Sequence, residues 1–264
     1  MLELAFMQRA LIAAVVVGIV CGALGFFVVL RRLAFVGVGL SHSAIGGVAI
    51  GILAGLSPLA SGAVFAIAVA LGIAALGRTG RIGEDAVIGV FFSGSMALAV
   101  VLFSLERGYQ QDLFGYLFGN VLAITTGEVW VLVAVGAAVL AVLAVSFQPL
   151  LFVAFDGEVA RAYGQRVSAL DRTLLVLLAA TIVIGVRLVG VLLIEALLVV
   201  PAAAAALLAE NWRRQLLLSA LLGSACGAAG LLAAFALDLA AGGTIALLAL
   251  GVFLLALVAR RVSR

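Results

Sequence analysis

Long apolar segments dominate this sequence and limit what it can fold into. Nine of them are about twenty residues long and carry few charges, which is enough for a helix to cross the roughly 30 Å hydrocarbon core of a bilayer. Barrel strands would instead be about ten residues long and would alternate in polarity. The segments lie approximately at 6–30, 34–54, 59–76, 86–104, 126–147, 170–186, 190–209, 216–236 and 243–259.

Composition supports the same interpretation. Hydrophobic residues make up 67% of the chain and the mean hydropathy is +1.41, whereas soluble domains are nearer to half apolar. We therefore predict an all-α, polytopic membrane helix bundle of about nine helices, with eight as the alternative count. It is expected to form a single transmembrane domain over residues 1–264, surrounded by membrane lipid. A tenth apolar segment, 113–124, is too short to cross and is interpreted as interfacial or re-entrant.

The arginines predict how the helices are oriented. All fifteen basic residues are arginine, and the net charge is +3. With the N-terminus outside and the C-terminus in the cytoplasm, twelve of the fifteen fall in cytoplasmic loops or in the C-terminal tail, which fits the positive-inside rule. No cluster of arginines is large enough to suggest nucleic-acid binding, so we expect no nucleic-acid partner.

The second apolar segment contains the only histidine, His42. It lies eleven residues after Arg31, so at 1.5 Å per residue it is roughly 16 Å deep, near the middle of the membrane. A titratable group at this depth is a candidate functional residue, although it could instead hydrogen-bond a neighbouring helix. Glycines follow it closely and are predicted to allow tight helix packing; they include Gly46, Gly47 and Gly51.

A second ionisable residue, Glu195, lies within the segment 190–209. It is eight residues from Arg187, which places it roughly 12 Å into the membrane from the outer side. A carboxylate there either faces a cavity or partner, or is protonated and hydrogen-bonded between helices. Pro201 removes one main-chain hydrogen bond of the same helix and is interpreted as a packing kink.

The predicted cytoplasmic loop 148–170 contains a short helix. Asp156 can cap its start, Glu158 and Arg161 lie on it, and Gly164 can end it. Such a helix between two membrane crossings either lies on the membrane surface or docks a cytoplasmic partner. No phosphate-binding loop of the type GxxxxGK[ST] occurs in the sequence, so this chain is not expected to bind and hydrolyse ATP in that way.

Six blocks of the sequence, in order, resemble the permease subunits of bacterial zinc/manganese/iron ABC importers, the ABC-3 metal permease family. They cover nearly the whole chain. The blocks are RRLAFVGVGLSHSAIGGVAIG (31–51), GEDAVIGVFFS (83–93), YLFGNVLAIT (116–125), FDGEVARAYG (155–164), LVGVLLIEALLVVPAAAAALLA (188–209) and LDLAAGGTIALLA (237–249).

The resemblance implies a homodimeric permease in the bacterial cytoplasmic (inner) membrane. It also implies two cytoplasmic ATPase subunits that drive transport and an extracytoplasmic binding protein that delivers the metal. The loop of about 150–169 would hold the coupling helix, with Asp156, Glu158, Arg161 and Gly164 contacting the ATPase. No permanently bound cofactor and no catalytic residue are implied, only a transported divalent metal, Zn²⁺, Mn²⁺ or Fe²⁺.

The sequence departs from the family pattern at the expected metal site. The family usually has an aspartate four residues before the histidine, where this chain has Val38, while Glu195 stands where a small residue is more common. In the last block, alanines occupy positions 240 and 241, where the family has proline and serine. We assign His42 and Glu195 as the candidate metal ligands. Three interpretations stay open: the carboxylate has moved from one helix to another, the substrate has changed, or the ion passes with most of its water retained.

Three alternatives remain beside a metal permease. Val38 favours the same architecture moving a chelated or non-metal substrate. Glu195 would serve proton coupling in a secondary transporter. An intramembrane enzyme is disfavoured, because Ser41 and Ser43 point to other sides of the helix than His42 and do not form a nucleophile–base pair with it.

The predicted orientation can be tested with reporter fusions. Fusions placed at Arg78–Arg81 and at Arg213–Gln215 should both report the cytoplasm, because positively charged loops are retained there. An outside signal at either position would contradict the predicted orientation.

Overall fold

The computed structural model describes residues 5–77, 83–105 and 124–262, and every regular element in them is an α-helix. Local sequence explains several helix ends, such as Ser57, whose hydroxyl caps α3 ahead of Pro58. The helices are α1 (Ala5–Leu30), α2 (Ala34–Leu53), α3 (Pro58–Leu76), α4 (Glu84–Ser104), α5 (Thr126–Phe155), α6 (Gly157–Ala162), α7 (Val167–Val189), α8 (Val191–Leu208), α9 (Trp212–Leu237) and α10 (Ala241–Val262).

Nine of these helices are long and apolar enough to cross a membrane within the described part of the chain; the exception is the six-residue α6. This confirms the predicted all-α polytopic bundle. The short segment 113–124 lies, except for Ile124, outside the described residues.

Helix α5 is longer than the sequence predicts. It has 30 residues, so it is about 45 Å long, and it continues past Gln148, where we placed the start of the inner loop. Pro149 lies inside it. Leu150 and Val153 beyond the proline are buried, and this packing offsets the missing main-chain bond. Helix α5 therefore occupies the first part of the predicted loop, given as 148–170 or 150–169, and the break between α5 and α6 falls at Asp156.

The described helices pack in two compact units. The first contains α1, the first half of α5, the end of α7 and all of α8, α9 and α10. In it, α1 packs against α8 and α9, and α8 also packs against α10. The second contains α2, α3, α4, the second half of α5, α6 and most of α7, with α2 packed against both α3 and α4.

The backbones of α1 and α9 touch at glycines. A Cβ atom added to Gly18 would lie 2.5 Å from the carbonyl oxygen of Gly223, and one added to Gly22 would lie 2.5 Å from that of Ser219. The Ser219 hydroxyl donates a hydrogen bond of 2.6 Å to the Gly22 carbonyl. The pairing order is reversed, so the two helices are antiparallel, as expected for the first and eighth of the nine described helices that are long enough to cross a membrane.

In the second unit, α2 approaches α3 and α4 with comparable closeness. A Cβ atom on Gly47 would lie 2.7 Å from the Ser61 carbonyl oxygen, and one on Gly51 would lie 2.7 Å from the Ser61 hydroxyl. On the α4 side, a Cβ on Gly46 would lie 3.0 Å from the carbonyl oxygen of Ser95. These three glycines let α2 fit between its two neighbours.

We predict that Gly18→Ala destabilises the chain, whereas Gly251→Ala does not. The methyl group at position 18 would meet backbone atoms of α9 that cannot rotate away, and overpacking of this kind costs about 1–3 kcal/mol. Gly251 lies in α10 with open space around it, and alanine there improves helix propensity. The thermal unfolding midpoint in detergent measures the difference. Equal midpoints for the two variants would contradict the close contact between α1 and α9.

Candidate functional site

Helix α2 leaves one narrow face open. Between Val36 and Ala49 every residue is buried except Val38 and His42, which remain partly exposed. Because residues four apart lie on the same face of a helix, the two form one short exposed stripe. Glycine packing against α3 and α4 covers the rest of this part of the helix.

The imidazole of His42 has two defined contacts on this face. Its Nδ1 lies 2.9 Å from the main-chain carbonyl oxygen of Val38, one turn earlier. Its ring meets the ring of Phe92 in an edge-to-face arrangement, with the centroids 4.9 Å apart and an interplanar angle of 70°. Phe92 comes from α4, so two helices determine where the imidazole lies.

Two buried serines flank His42 in the sequence, and their hydroxyls form hydrogen bonds with groups other than the imidazole. Ser41 donates to the Gly37 carbonyl at 2.9 Å, and Ser43 donates to the Gly39 carbonyl at 2.7 Å. The Ser43 hydroxyl oxygen also lies 3.1 Å from that of Ser95 on α4. Both hydroxyls therefore take part in the internal bonding of α2, and that of Ser43 also attaches α2 to α4.

Sequence reasoning did not single out Phe92 or Ser95. Phe92 belongs to the block GEDAVIGVFFS, which we used for the resemblance, and Ser95 follows it by two residues. Their spacing of three residues places them on one face of α4. This spacing could have identified the two residues as one face of α4, but it does not reveal that this face contacts α2.

At position 38 this chain supplies a main-chain oxygen toward the imidazole and no carboxylate. Within the described residues, no group of three or more His, Cys, Asp or Glu side chains is arranged to hold a metal ion. A metal site built on His42 therefore requires ligands beyond this stripe.

Glu195 lies in the interior of α8 and is partly buried, with its Oε1 atom shielded from solvent. The neighbouring residues Leu193, Ile194, Leu197 and Leu198 are buried. Pro201 lies inside the same helix and is also buried. Glu195 belongs to the first unit and His42 to the second, so their assignment to one metal site stays a prediction.

The short helix α6 has the ends that its sequence predicts. The Asp156 carboxylate accepts hydrogen bonds from the main-chain N–H groups of Glu158, at 3.0 Å, and Val159, at 2.9 Å. At the other end Gly164 adopts a φ of +81°, which glycine tolerates best. Its N–H donates to the Arg161 carbonyl, at 3.0 Å. Together with the bond from Gln165 to the carbonyl of Ala160 this is a Schellman ending.

An apolar cluster holds α6 against its neighbours. Ala160 is fully buried against Val153 of α5 and Val167 of α7. The outward side of α6 carries the charged residues Glu158 and Arg161, both exposed. The helix is thus fixed at both ends and along one side, and it presents a charged surface on the other.

Comparison with known proteins agrees with these features. The sequence profile described as the ABC 3 transport family matches residues 3–260. The chain is 35% identical, over 97% of its length and 91% of the relative's, to the manganese transport system membrane protein MntC of Listeria innocua. It is 35% identical to the manganese import system permease protein ScaB of Streptococcus gordonii, over 94% of this chain and 89% of that protein.

A solved structure, PsaBC from Streptococcus pneumoniae in complex with Fab, has the same fold. The TM-score is 0.86, with 36% identity over 97% of this chain and 92% of that one. The family match covers the described helices except the last two residues of α10, and the relatives match along nearly their full lengths. This chain is therefore a multi-pass membrane protein that belongs to the ABC 3 transport family.

Proposed function

We propose that this chain is the transmembrane permease subunit of an ATP-driven importer for a divalent transition metal. The observation that carries the proposal is the open stripe on α2, where His42 is a metal-binding side chain at about the middle of an apolar helix. The MntC and ScaB relatives are named as manganese transport proteins, so manganese is the first candidate. Imidazole and carboxylate ligands also suit zinc and iron, which remain the other candidates.

One histidine per chain is too few ligands for a divalent ion. A second copy of the chain, related by a two-fold axis, would double the set to two imidazoles and two carboxylates if Glu195 faces the same pathway. Both side chains are costly in hydrocarbon unless they are hydrated, paired or bound to an ion. We therefore propose a homodimer with His42 and Glu195 of each copy along the metal path.

Val38 supports a second candidate function. A valine offers no ligand at the position where the family resemblance implies an aspartate. A metal carried as a chelate, or a non-metal substrate, would need fewer protein ligands at this depth. The same permease architecture would then serve a different cargo.

ATP hydrolysis is proposed to occur on a separate cytoplasmic ATPase dimer that docks at α6. The exposed charges of Glu158 and Arg161 and the fixed ends of α6 suit a docking surface. An extracytoplasmic binding protein would deliver the metal on the opposite side. This arrangement places the chain in the bacterial cytoplasmic membrane, with the N-terminus outside and the C-terminus in the cytoplasm.

The metal path predicts that His42→Ala and Glu195→Gln each reduce manganese uptake by assembled complexes by about tenfold or more, since each removes a ligand. Glu210→Gln is the matched control, because Glu210 is exposed and pairs with Arg214. Uptake into proteoliposomes with the ATPase present measures the effect. Loss in His42→Ala alone would make Glu195 structural, and unchanged uptake in both variants would contradict a metal site on these side chains.

The docking surface predicts that the double variant Glu158→Ala with Arg161→Ala loses most metal uptake and most of the transport-stimulated ATPase activity, although the helix itself remains capped by Asp156. Arg213→Ala, at an exposed position in another predicted cytoplasmic loop, serves as the control. Wild-type activity in the double variant, with the complex intact, would show that α6 only lies on the membrane surface.

A further inference from the structure

We propose that the Val38 carbonyl and the Phe92 ring are positioning groups that hold the imidazole of His42 so that its Nε2 is presented to the transported metal. The inference rests on the proposed function and assigns roles within that site. Its first test does not depend on transport.

The hydrogen bond to Val38 identifies the protonated nitrogen. A main-chain carbonyl oxygen can only accept, so the Nδ1 atom 2.9 Å away must carry the hydrogen. In a neutral imidazole the other nitrogen, Nε2, then carries the lone pair. Histidines that bind metals commonly donate their remaining N–H to a carbonyl or carboxylate in this way, which fixes the tautomer and the ring orientation.

The ring of Phe92 supplies the second restraint. A hydrogen bond at Nδ1 alone leaves the imidazole free to tilt about that bond. The edge-to-face contact, with the ring centroids 4.9 Å apart, places an aromatic ring beside the imidazole, and aromatic pairs prefer this arrangement. The imidazole is therefore restrained both at one nitrogen and beside its plane.

Phe92 cannot easily move away from His42, because α4 is held against α2. Ser95, one turn after Phe92, lies 3.1 Å from the Ser43 hydroxyl. Its carbonyl oxygen would also be 3.0 Å from a Cβ on Gly46. The two contacts attach α4 to α2 immediately beyond His42, so the position of Phe92 is coupled to that of the imidazole.

This arrangement gives Val38 a role that its side chain does not suggest. The valine contributes no ligand, but its carbonyl orients the one ligand that α2 retains. Changes in such supporting groups typically reduce metal affinity by 10–100-fold. Phe92, which binds no metal itself, is thus expected to affect metal affinity more than the turnover rate.

The first experiment reads the tautomer directly. His42 is the only histidine in the chain, so histidine labelled with ¹⁵N gives one pair of ring signals from the permease in lipid nanodiscs. Without metal we expect a protonated Nδ1 and an unprotonated Nε2. Titration with diamagnetic Zn²⁺ should then shift Nε2 while Nδ1 keeps its proton.

A protonated Nε2 in the metal-free protein, or Zn²⁺ binding at Nδ1, would overturn the inference. Failure of the proposed function is distinguishable from this result. If Zn²⁺ moved neither signal and His42→Ala kept full uptake, the metal site would be wrong while the metal-free spectrum still reported the tautomer.

The second experiment tests Phe92 as a positioning residue, with Phe91→Leu as the matched control. Phe91 is its neighbour, but it packs over Gly72 of α3, where a Cβ would lie 2.6 Å from its ring. Phe92→Leu should raise the apparent KM for manganese uptake about tenfold with little change in the maximal rate. The same variant should add a second tautomer or broaden the ¹⁵N signals. Equal KM values and equal spectra for the two variants would overturn the role of Phe92.

Discussion

Contact between helix backbones at glycine is the interaction on which the structure depends. In a bilayer there is little hydrophobic drive between helices, so association relies on close van der Waals packing. The contacts of α1 with α9 and of α2 with α3 and α4 leave no room for a Cβ atom at several positions. In α2 this packing also defines the site, because it covers the helix on every side except that of Val38 and His42.

Local rules predicted the elements well. The apolar segments predicted the nine helices of membrane-crossing length found among the described residues, and the capping residues Asp156 and Gly164 predicted both ends of α6. These features depend on a few adjacent residues, so the sequence carries them directly. The predicted apolar segment ended at residue 147, two residues before Pro149, whereas buried residues beyond the proline keep α5 continuous to Phe155.

The site was predictable only in part, because its contacts involve residues that are far apart in the sequence. His42 stood out by its chemistry and depth. Its contact with Phe92, and the contact of the adjacent Ser43 with Ser95, depend on which helices pack together. Small residues occur on almost every segment of this chain, so they mark that helices approach closely but not which ones. The Val38 carbonyl was equally hidden, since a main-chain atom has no sequence signature.

The length of α5 has a mechanical consequence. It forms one continuous helix from Thr126 to Phe155, and only Asp156 separates it from α6. A force applied to α6 would therefore be transmitted along α5, because a continuous helix is stiff. Bending of α5 would concentrate at Pro149, where one main-chain hydrogen bond is missing. Pro149 lies six residues before the end of α5 that adjoins α6, so bending there would move α6 relative to the rest of the helix.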